Sequence, residues 1–146
     1  MKKVICLLLV MLSIFSVVSG YAMAEGEQPV AQPIDVDLTV LSSTMVFGEV
    51  YNMLVEPERY LGKVIKMKGT YATSYSEELN TRYHFVLIAD AAACCQQGLE
   101  FMWSGDHRYP EDYPEDGTYI EVAGVYSVYE EAGISYYYVA TEEVAI

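Results

Sequence analysis

The chain has 146 residues, of which 21 are acidic and eight are basic, and its formal net charge at pH 7 is −13. A charge of this sign and size repels phosphate backbones, which argues against a nucleic-acid partner. Three cysteines are too few for a disulfide framework, and the length suits one domain, so we expect its stability to come from a packed core.

Residues 1–24 have the features of a secretory signal peptide. Lys2 and Lys3 precede an apolar run that extends from Val4 to Val18, and Ala22-Met23-Ala24 is a small-x-small cleavage sequence. The run is short for a transmembrane helix, and no second apolar segment of membrane length follows it. We therefore expect a mature, secreted or periplasmic protein that does not insert into the membrane. Its net charge would be −15, from six basic and 21 acidic residues.

The mature chain is expected to begin with a linker and one helix. Residues 25–42 are polar and contain two prolines, which predicts an extended linker. The segment "SSTMVFGEVYNMLVE" predicts an amphipathic helix from Thr44 to Val55, ended by Pro57. Its apolar stripe is expected to pack on the domain and consists of Val46, Phe47, Val50, Tyr51 and Leu54.

After residue 61 the apolar residues recur at every second position, which is typical of β-strands. Five strands are predicted, in residues 62–75, 82–90, 98–103, 117–131 and 134–146. The second is apolar nearly throughout and is expected to be covered on both faces. Gly69 and Gly124 predict bends. This order predicts a mainly β fold, in which residues 43–146 form a five-stranded barrel of the OB type preceded by one amphipathic helix.

The connection between the third and fourth strands, residues 104–118, contains the sequence "YPED" twice and reads as a surface loop. Its carboxylates are of the type that binds calcium, but their spacing matches no calcium-binding loop, and Pro110 and Pro114 limit how many can converge. We therefore expect a solvated acidic loop that contains Asp106, Glu111, Asp112, Glu115 and Asp116.

Three segments together resemble a known family. They are "EPERYLGKVIKMKGTY", "FVLIADAAACC" and "DGTYIEVAGVY". They are similar to the OB-like domain of an uncharacterised bacterial family of permease subunits, in which a Tyr-Leu-Gly-Lys lead-in, a Cys-Cys pair and a Gly-Thr fourth strand recur. The resemblance covers about the last hundred residues. It implies the OB fold and no particular activity, because none is settled for the family.

Cys94 and Cys95 are the only thiols outside the leader, and they lie between the second and third predicted strands. Three interpretations stay open. A disulfide between them would be strained, because neighbouring Cα atoms lie about 3.8 Å apart, below the usual range for bridged cysteines. The two thiolates could instead bind copper or zinc, with Asp90 as a further weak candidate ligand. Alternatively, one cysteine packs in the core and the other is a small loop residue.

The two histidines do not fit a mixed site with these cysteines. His84 begins the second strand and is expected about 20 Å from its cysteine end. His107 follows the third strand, which returns, so it is expected at the far end too. A metal site would then need Asp90, backbone oxygens or a second molecule. At least one sulfur is expected to be exposed, because "QQG" at residues 96–98 is a poor core sequence.

The sequence contains no nucleophile elbow, phosphate-binding glycine loop, Cys-x-x-Cys pair or zinc-protease motif. We therefore expect no enzymatic activity and no cofactor. The sequence predicts an exported, non-catalytic OB-fold module that binds a protein, a peptide or a small molecule and no nucleic acid. The alternative is a thiol-redox or metal-handling protein that uses Cys94 and Cys95.

Overall fold

A computed structural model describes residues 33–146. The described chain contains one α-helix, α1 (Ser43–Val55), and two short 3-10 turns, Leu38–Val40 and Pro57–Arg59. Its six strands are β1 (Val36–Asp37), β2 (Val64–Ser76), β3 (Thr81–Ala89), β4 (Gln96–Trp103), β5 (Tyr119–Glu131) and β6 (Ile134–Ala145). The predicted signal peptide and residues 25–32 of the predicted linker lie outside the described residues.

The five long strands close into a barrel. Their order around the sheet is β2-β3-β4-β6-β5, and β5 pairs back with β2. All of these pairs are antiparallel except β4 with β6, which is parallel. This is the Greek-key order of an OB barrel. The fold prediction is confirmed: the protein is mainly β, with a five-stranded OB-type barrel that one helix precedes.

The apolar residues that alternate with polar ones in β2 face the core, as predicted from the sequence. Ile65, Met67 and Tyr71 point inward and are fully buried. The strand pairs with β5 over residues 64–70 and with β3 over residues 70–76, so it changes partners next to Gly69. A Cβ atom at Gly69 would lie 2.3 Å from the carbonyl oxygen of Leu87. Glycine therefore permits the close approach of strands that closes the barrel.

The helix packs with a face that differs from the predicted stripe. Val50 and Met53 are buried and Val46 is partly buried, whereas Tyr51 and Leu54 are 55% and 48% exposed. The prediction was therefore wrong for these last two residues. A hydrogen bond from the Tyr126 hydroxyl to the carbonyl oxygen of Met53 (3.1 Å) helps to set the rotation of the helix. Within residues 33–146, no helix combines the length and apolar character needed to cross a membrane.

The linker prediction is wrong from Val36 onward. Val36 pairs in parallel with Ile65 of β2, and the Asp35 carboxylate accepts a hydrogen bond from the backbone N–H of Val64 (2.8 Å). Leu38 is only 2% exposed and belongs to the core. The domain therefore begins before residue 43. Residues 34–40, "IDVDLTV", alternate apolar and polar side chains throughout, so a period of two does mark this end of the segment, although the residues before it are polar.

Candidate functional site

Asp90, Cys94 and Cys95 come together in the connection between β3 and β4. We call residues 90–95 the cysteine loop. The Oδ1 atom of Asp90 accepts hydrogen bonds from the backbone N–H groups of Cys94 (2.9 Å) and Cys95 (3.4 Å). The backbone N–H of Asp90 donates to the carbonyl oxygen of Cys95 (2.9 Å), which closes the loop. Asp90 therefore shapes the loop that positions both thiols.

The two thiols are free and exposed, which confirms that at least one sulfur is accessible. Their Sγ atoms lie 3.8 Å apart, well beyond the length of a disulfide bond. The Cys94 Sγ atom donates to Asp90 Oδ2 at 3.2 Å. This hydrogen bond, together with the one to Cys95, raises the pKa of the Cys94 thiol. It also lowers the pKa of Asp90, so the carboxylate is ionised at neutral pH.

Both histidines lie away from the cysteine loop, as predicted from the lengths of the strands. The His84 ring stacks on Tyr113 with centroids 4.1 Å apart, and the His107 ring stacks on Trp103 at 3.9 Å. In the part of the chain that the structure describes, three side chains place donor atoms within 4.8 Å of one another in the manner of a metal site: Asp90, Cys94 and Cys95. No histidine is among them.

A second candidate site lies where β3 and β4 separate, and it was not predicted from the sequence. The two strands pair as far as His84 and Phe101, and beyond that point Met102 and Trp103 pair with β6. The gap between the strands is a cleft of about 390 Å³, which we call the β3–β4 cleft. Side chains from three strands and the 104–118 loop line it, among them Tyr83, His84, Glu100, Trp103, Tyr113, Tyr129 and Glu131.

Glu100 is a buried acid in the wall of this cleft. Glu100 is only 8% exposed, and its neighbours on the adjacent strands are Phe85 of β3 and Tyr138 of β6. The Tyr129 hydroxyl lies 3.2 and 3.1 Å from its two carboxylate oxygens. Among residues 33–146, no lysine or arginine forms an ion pair with it. Burial raises the pKa of Glu100 to about 7; the Tyr129 hydrogen bond opposes this change, and the charge of Glu131 adds to it.

His84 lines the same cleft and is held in the neutral form. Its Nδ1 atom lies 2.7 Å from the hydroxyl oxygen of Tyr71, which can donate to the unprotonated nitrogen. Burial, with a smaller contribution from the charge of Arg82, lowers the pKa of His84 to about 4. At neutral pH the imidazole therefore supplies an aromatic surface and no positive charge.

In the described part of the chain, the charged groups beside Glu100 leave its carboxylate without a cationic partner. Glu131 accepts a hydrogen bond of 2.5 Å from the Tyr83 hydroxyl. The Arg82 guanidinium stacks over the Tyr109 ring at 4.1 Å and donates to Thr73 of β2 (3.1 Å). Among residues 33–146, Arg82 is the one cation that lines the cleft, and its guanidinium is already engaged by Tyr109 and Thr73. Aromatic faces attract organic cations, and a carboxylate beside them adds a full negative charge.

No protein-family model and no curated protein matches this chain. The resemblance to the permease-subunit family stays a prediction.

Proposed function

We propose that the chain is an exported, non-catalytic OB-fold binding module, and that it holds a peptide or small molecule by a positively charged group in the β3–β4 cleft. OB barrels bind ligands on the face of their second and third strands and in the loops that follow the first and fourth strands. In this barrel the second and third strands are β3 and β4. Because the fold does not fix the ligand, the ligand class rests on the side chains in the cleft.

The observation that carries the proposal is that Glu100 is buried and that no lysine or arginine of residues 33–146 pairs with it. An ionised carboxylate that is withdrawn from water destabilises the folded state unless another group compensates its charge. Its pKa of about 7 implies a cost on the order of 2 kcal/mol when the group is ionised. A perturbed acid in the wall of a concave surface is typical of binding sites. A ligand with a positive charge would supply the missing partner.

An ammonium or guanidinium group matches this surface in two ways. It could donate charged hydrogen bonds to Glu100, which are stronger than neutral ones. It could also lie over the faces of Tyr83 or Tyr129, since both line the cleft beside Glu100. The acidic net charge of the chain would favour the approach of such a ligand. The same charge disfavours phosphate groups, so nucleic acid is not proposed.

The chain contains a natural probe of this cleft, because Trp103 is its only tryptophan and lines the site. A trilysine peptide with blocked ends, titrated at about pH 8, should change the tryptophan fluorescence in a saturable way. Glu100→Gln should weaken this binding by about tenfold or more, the loss of one charged hydrogen bond. Glu130→Gln is the matched control, because it removes the same charge from an exposed position on β5.

Two outcomes would contradict the proposal. If both glutamine variants weaken the binding equally, the peptide responds to the net charge of the protein and not to the cleft. If a blocked triglutamate peptide binds as well as trilysine, the ligand is not cationic. Binding by wild type should also strengthen as the pH rises through about 7, because the ionised form of Glu100 then becomes the major one.

The alternative function, thiol-redox or metal handling, is supported by the cysteine loop. Of its two forms, metal binding is the better supported. The hydrogen bond to Asp90 raises the pKa of Cys94, which disfavours the thiolate form of this residue that would attack a disulfide. A metal ion, in contrast, displaces the thiol protons, and three donor groups already converge there.

A further inference from the structure

We infer that Asp90, Cys94 and Cys95 form an exchangeable site for a tetrahedral divalent cation of the Zn²⁺ class, with the fourth coordination position open to solvent. The donor atoms lie within 4.8 Å of one another on the cysteine loop. The inference does not depend on the β3–β4 cleft or on a cationic ligand there.

The separation of the sulfur atoms fits this coordination. Two Zn–S bonds of about 2.3 Å at the tetrahedral angle place their sulfurs about 3.8 Å apart. The two Sγ atoms of the loop lie 3.8 Å apart before any ion is added. Two such bonds in line would need about 4.6 Å, so the geometry favours a tetrahedral ion over a linear two-coordinate one such as copper(I).

The carboxylate is already beside the thiols. The Asp90 Oδ2 atom lies 3.2 Å from Cys94 Sγ, and a tetrahedral ion with a Zn–O bond of about 2.1 Å would need about 3.6 Å between these atoms. A small side-chain rotation would supply the difference of about 0.4 Å. The Cys95 Sγ atom and the Asp90 donor atom lie within 4.8 Å of each other, against the same 3.6 Å, so side-chain rotation must also bring these two atoms into place.

The loop backbone holds Asp90 in the ligating orientation. Its Oδ1 atom is occupied by the N–H groups of Cys94 and Cys95, which leaves Oδ2 to bind the ion. Ala93 has a left-handed φ of 53°, and its N–H donates to the carbonyl oxygen of Asp90 (3.0 Å). This turn directs the chain back toward the carboxylate. Hydrogen bonds that orient a ligand in this way strengthen metal binding.

Binding is a ligand substitution and involves no electron transfer. The two thiols lose their protons to solvent as the two S–metal bonds form, and the Asp90 carboxylate binds as an anion. Two thiolates, one carboxylate and a divalent ion give the site a net charge of −1. Both cysteines are exposed, so the ion has a direct route from solvent. Three protein ligands and one open position are typical of sites whose ion contacts a further molecule, whereas structural zinc sites have four protein ligands.

The test uses the full chain with Cys6→Ser, so that the thiols in the experiment are those of the loop. The reduced protein is titrated with Co²⁺, which gives sulfur-to-cobalt charge-transfer absorption and tetrahedral d–d bands, and the Co²⁺ is then displaced with Zn²⁺. We expect one ion per chain. Cys94→Ser and Cys95→Ser should each weaken binding by about 100-fold or more, and Asp90→Asn by about tenfold.

Asp112→Asn is the matched control, since it removes the same charge from an exposed position in the 104–118 loop and should leave the affinity unchanged. Tryptophan fluorescence of each variant reports whether the barrel is folded. The inference is overturned if the reduced thiols give no sulfur-to-cobalt band, or if one ion binds per two chains. Equal weakening by Asp90→Asn and Asp112→Asn would also overturn it, because the ion would then be responding to surface charge.

Discussion

Replacing Glu100 by glutamine should stabilise the protein at about pH 8 and make it more sensitive to acid. Glutamine can still accept the Tyr129 hydrogen bond but carries no charge to bury. The pKa of Glu100 is raised from 4.5 to about 7 in the folded protein, so the folded state binds this proton more tightly. The stabilisation by the protonated carboxyl is complete below about pH 4.5 and is lost as the pH rises through about 7.

The size of the effect follows from the shift in pKa. One pKa unit corresponds to about 1.4 kcal/mol, so a fully shielded group would contribute about 3 kcal/mol. Because Glu100 keeps some exposure to solvent, screening lowers this figure to about 2 kcal/mol. Glu100→Gln should therefore be more stable than wild type by about 2 kcal/mol at about pH 8 and nearly equal to it at about pH 4.

His84 has the opposite pH dependence. Its pKa is lowered from 6.5 to about 4, so the stability that the neutral ring contributes is present above about pH 6.5 and is lost as the pH falls toward 4. In wild type the gain at Glu100 on acidification offsets much of the loss at His84. In Glu100→Gln that offset is absent, and the loss at His84, also on the order of 2 kcal/mol, should become visible between about pH 6.5 and 4.

The measurement is urea unfolding of wild type and variant, followed by Trp103 fluorescence, at steps between about pH 4 and 8. The difference between the two free energies of unfolding isolates Glu100 from other titrating groups. Glu130→Gln, at an exposed position of β5, should show no such difference. A Glu100→Gln variant that is less stable than wild type at about pH 8 would refute the reasoning. A difference that does not change with pH would refute it as well.

Gly124→Ala should lower the free energy of unfolding by about 3 kcal/mol, or prevent folding, because a Cβ atom there would lie 2.0 Å from the carbonyl oxygen of Ala140. Gly48→Ala, in the helix, places the added carbon more than 4 Å from the other described residues, apart from its chain neighbours and the backbone of the helix, and should raise it by up to about 1 kcal/mol in the same urea assay. Serine at both Cys94 and Cys95 should change stability by no more than about 1 kcal/mol in thermal denaturation, because both side chains are exposed; a loss of about 3 kcal/mol would show a structural pair. At physiological salt, fluorescence anisotropy should detect no binding of single-stranded DNA or RNA, and a micromolar, salt-sensitive affinity would contradict this.

The barrel could be predicted because its signal is local and repeated. In β2 the inward residues Ile65, Met67 and Tyr71 alternate with polar ones, which defines both the strand and its buried face. The orientation of the helix was harder to predict, because apolar residues lie on more than one of its sides. Tyr51 and Leu54 are on an exposed side, and Val50 and Met53 are on the buried one. Its packing depends on contacts with distant residues, including the hydrogen bond from Tyr126, 73 positions away from Met53. A period in the sequence contains no information about such contacts.

The two candidate sites differ in the same way: one is formed by residues close in sequence, and the other by residues far apart in sequence. Asp90 and Cys94 are four positions apart in one loop, so their proximity follows from the chain itself. Glu100 meets Tyr129 across 29 positions, and Tyr83 meets Glu131 across 48. Alternation in "GLEFMW" places Glu100 opposite the core residues Leu99 and Phe101 and so predicts exposure to solvent. Its burial depends on barrel closure and on the register of strands that local patterns do not specify.

The two proposed sites lie toward opposite ends of β3 and should act independently. The six residues from His84 to Asp90 span about 20 Å of strand. An ion in the cysteine loop could influence the cleft only by shifting β3 against β4, and a slip of one residue would move Val86 and Leu99 out of the core. The barrel therefore resists the motion that would couple them. We expect Glu100→Gln to leave the Zn²⁺ affinity unchanged and Cys94→Ser to leave trilysine binding unchanged. A change in either would show that β3 transmits a rearrangement that the closed barrel is expected to prevent.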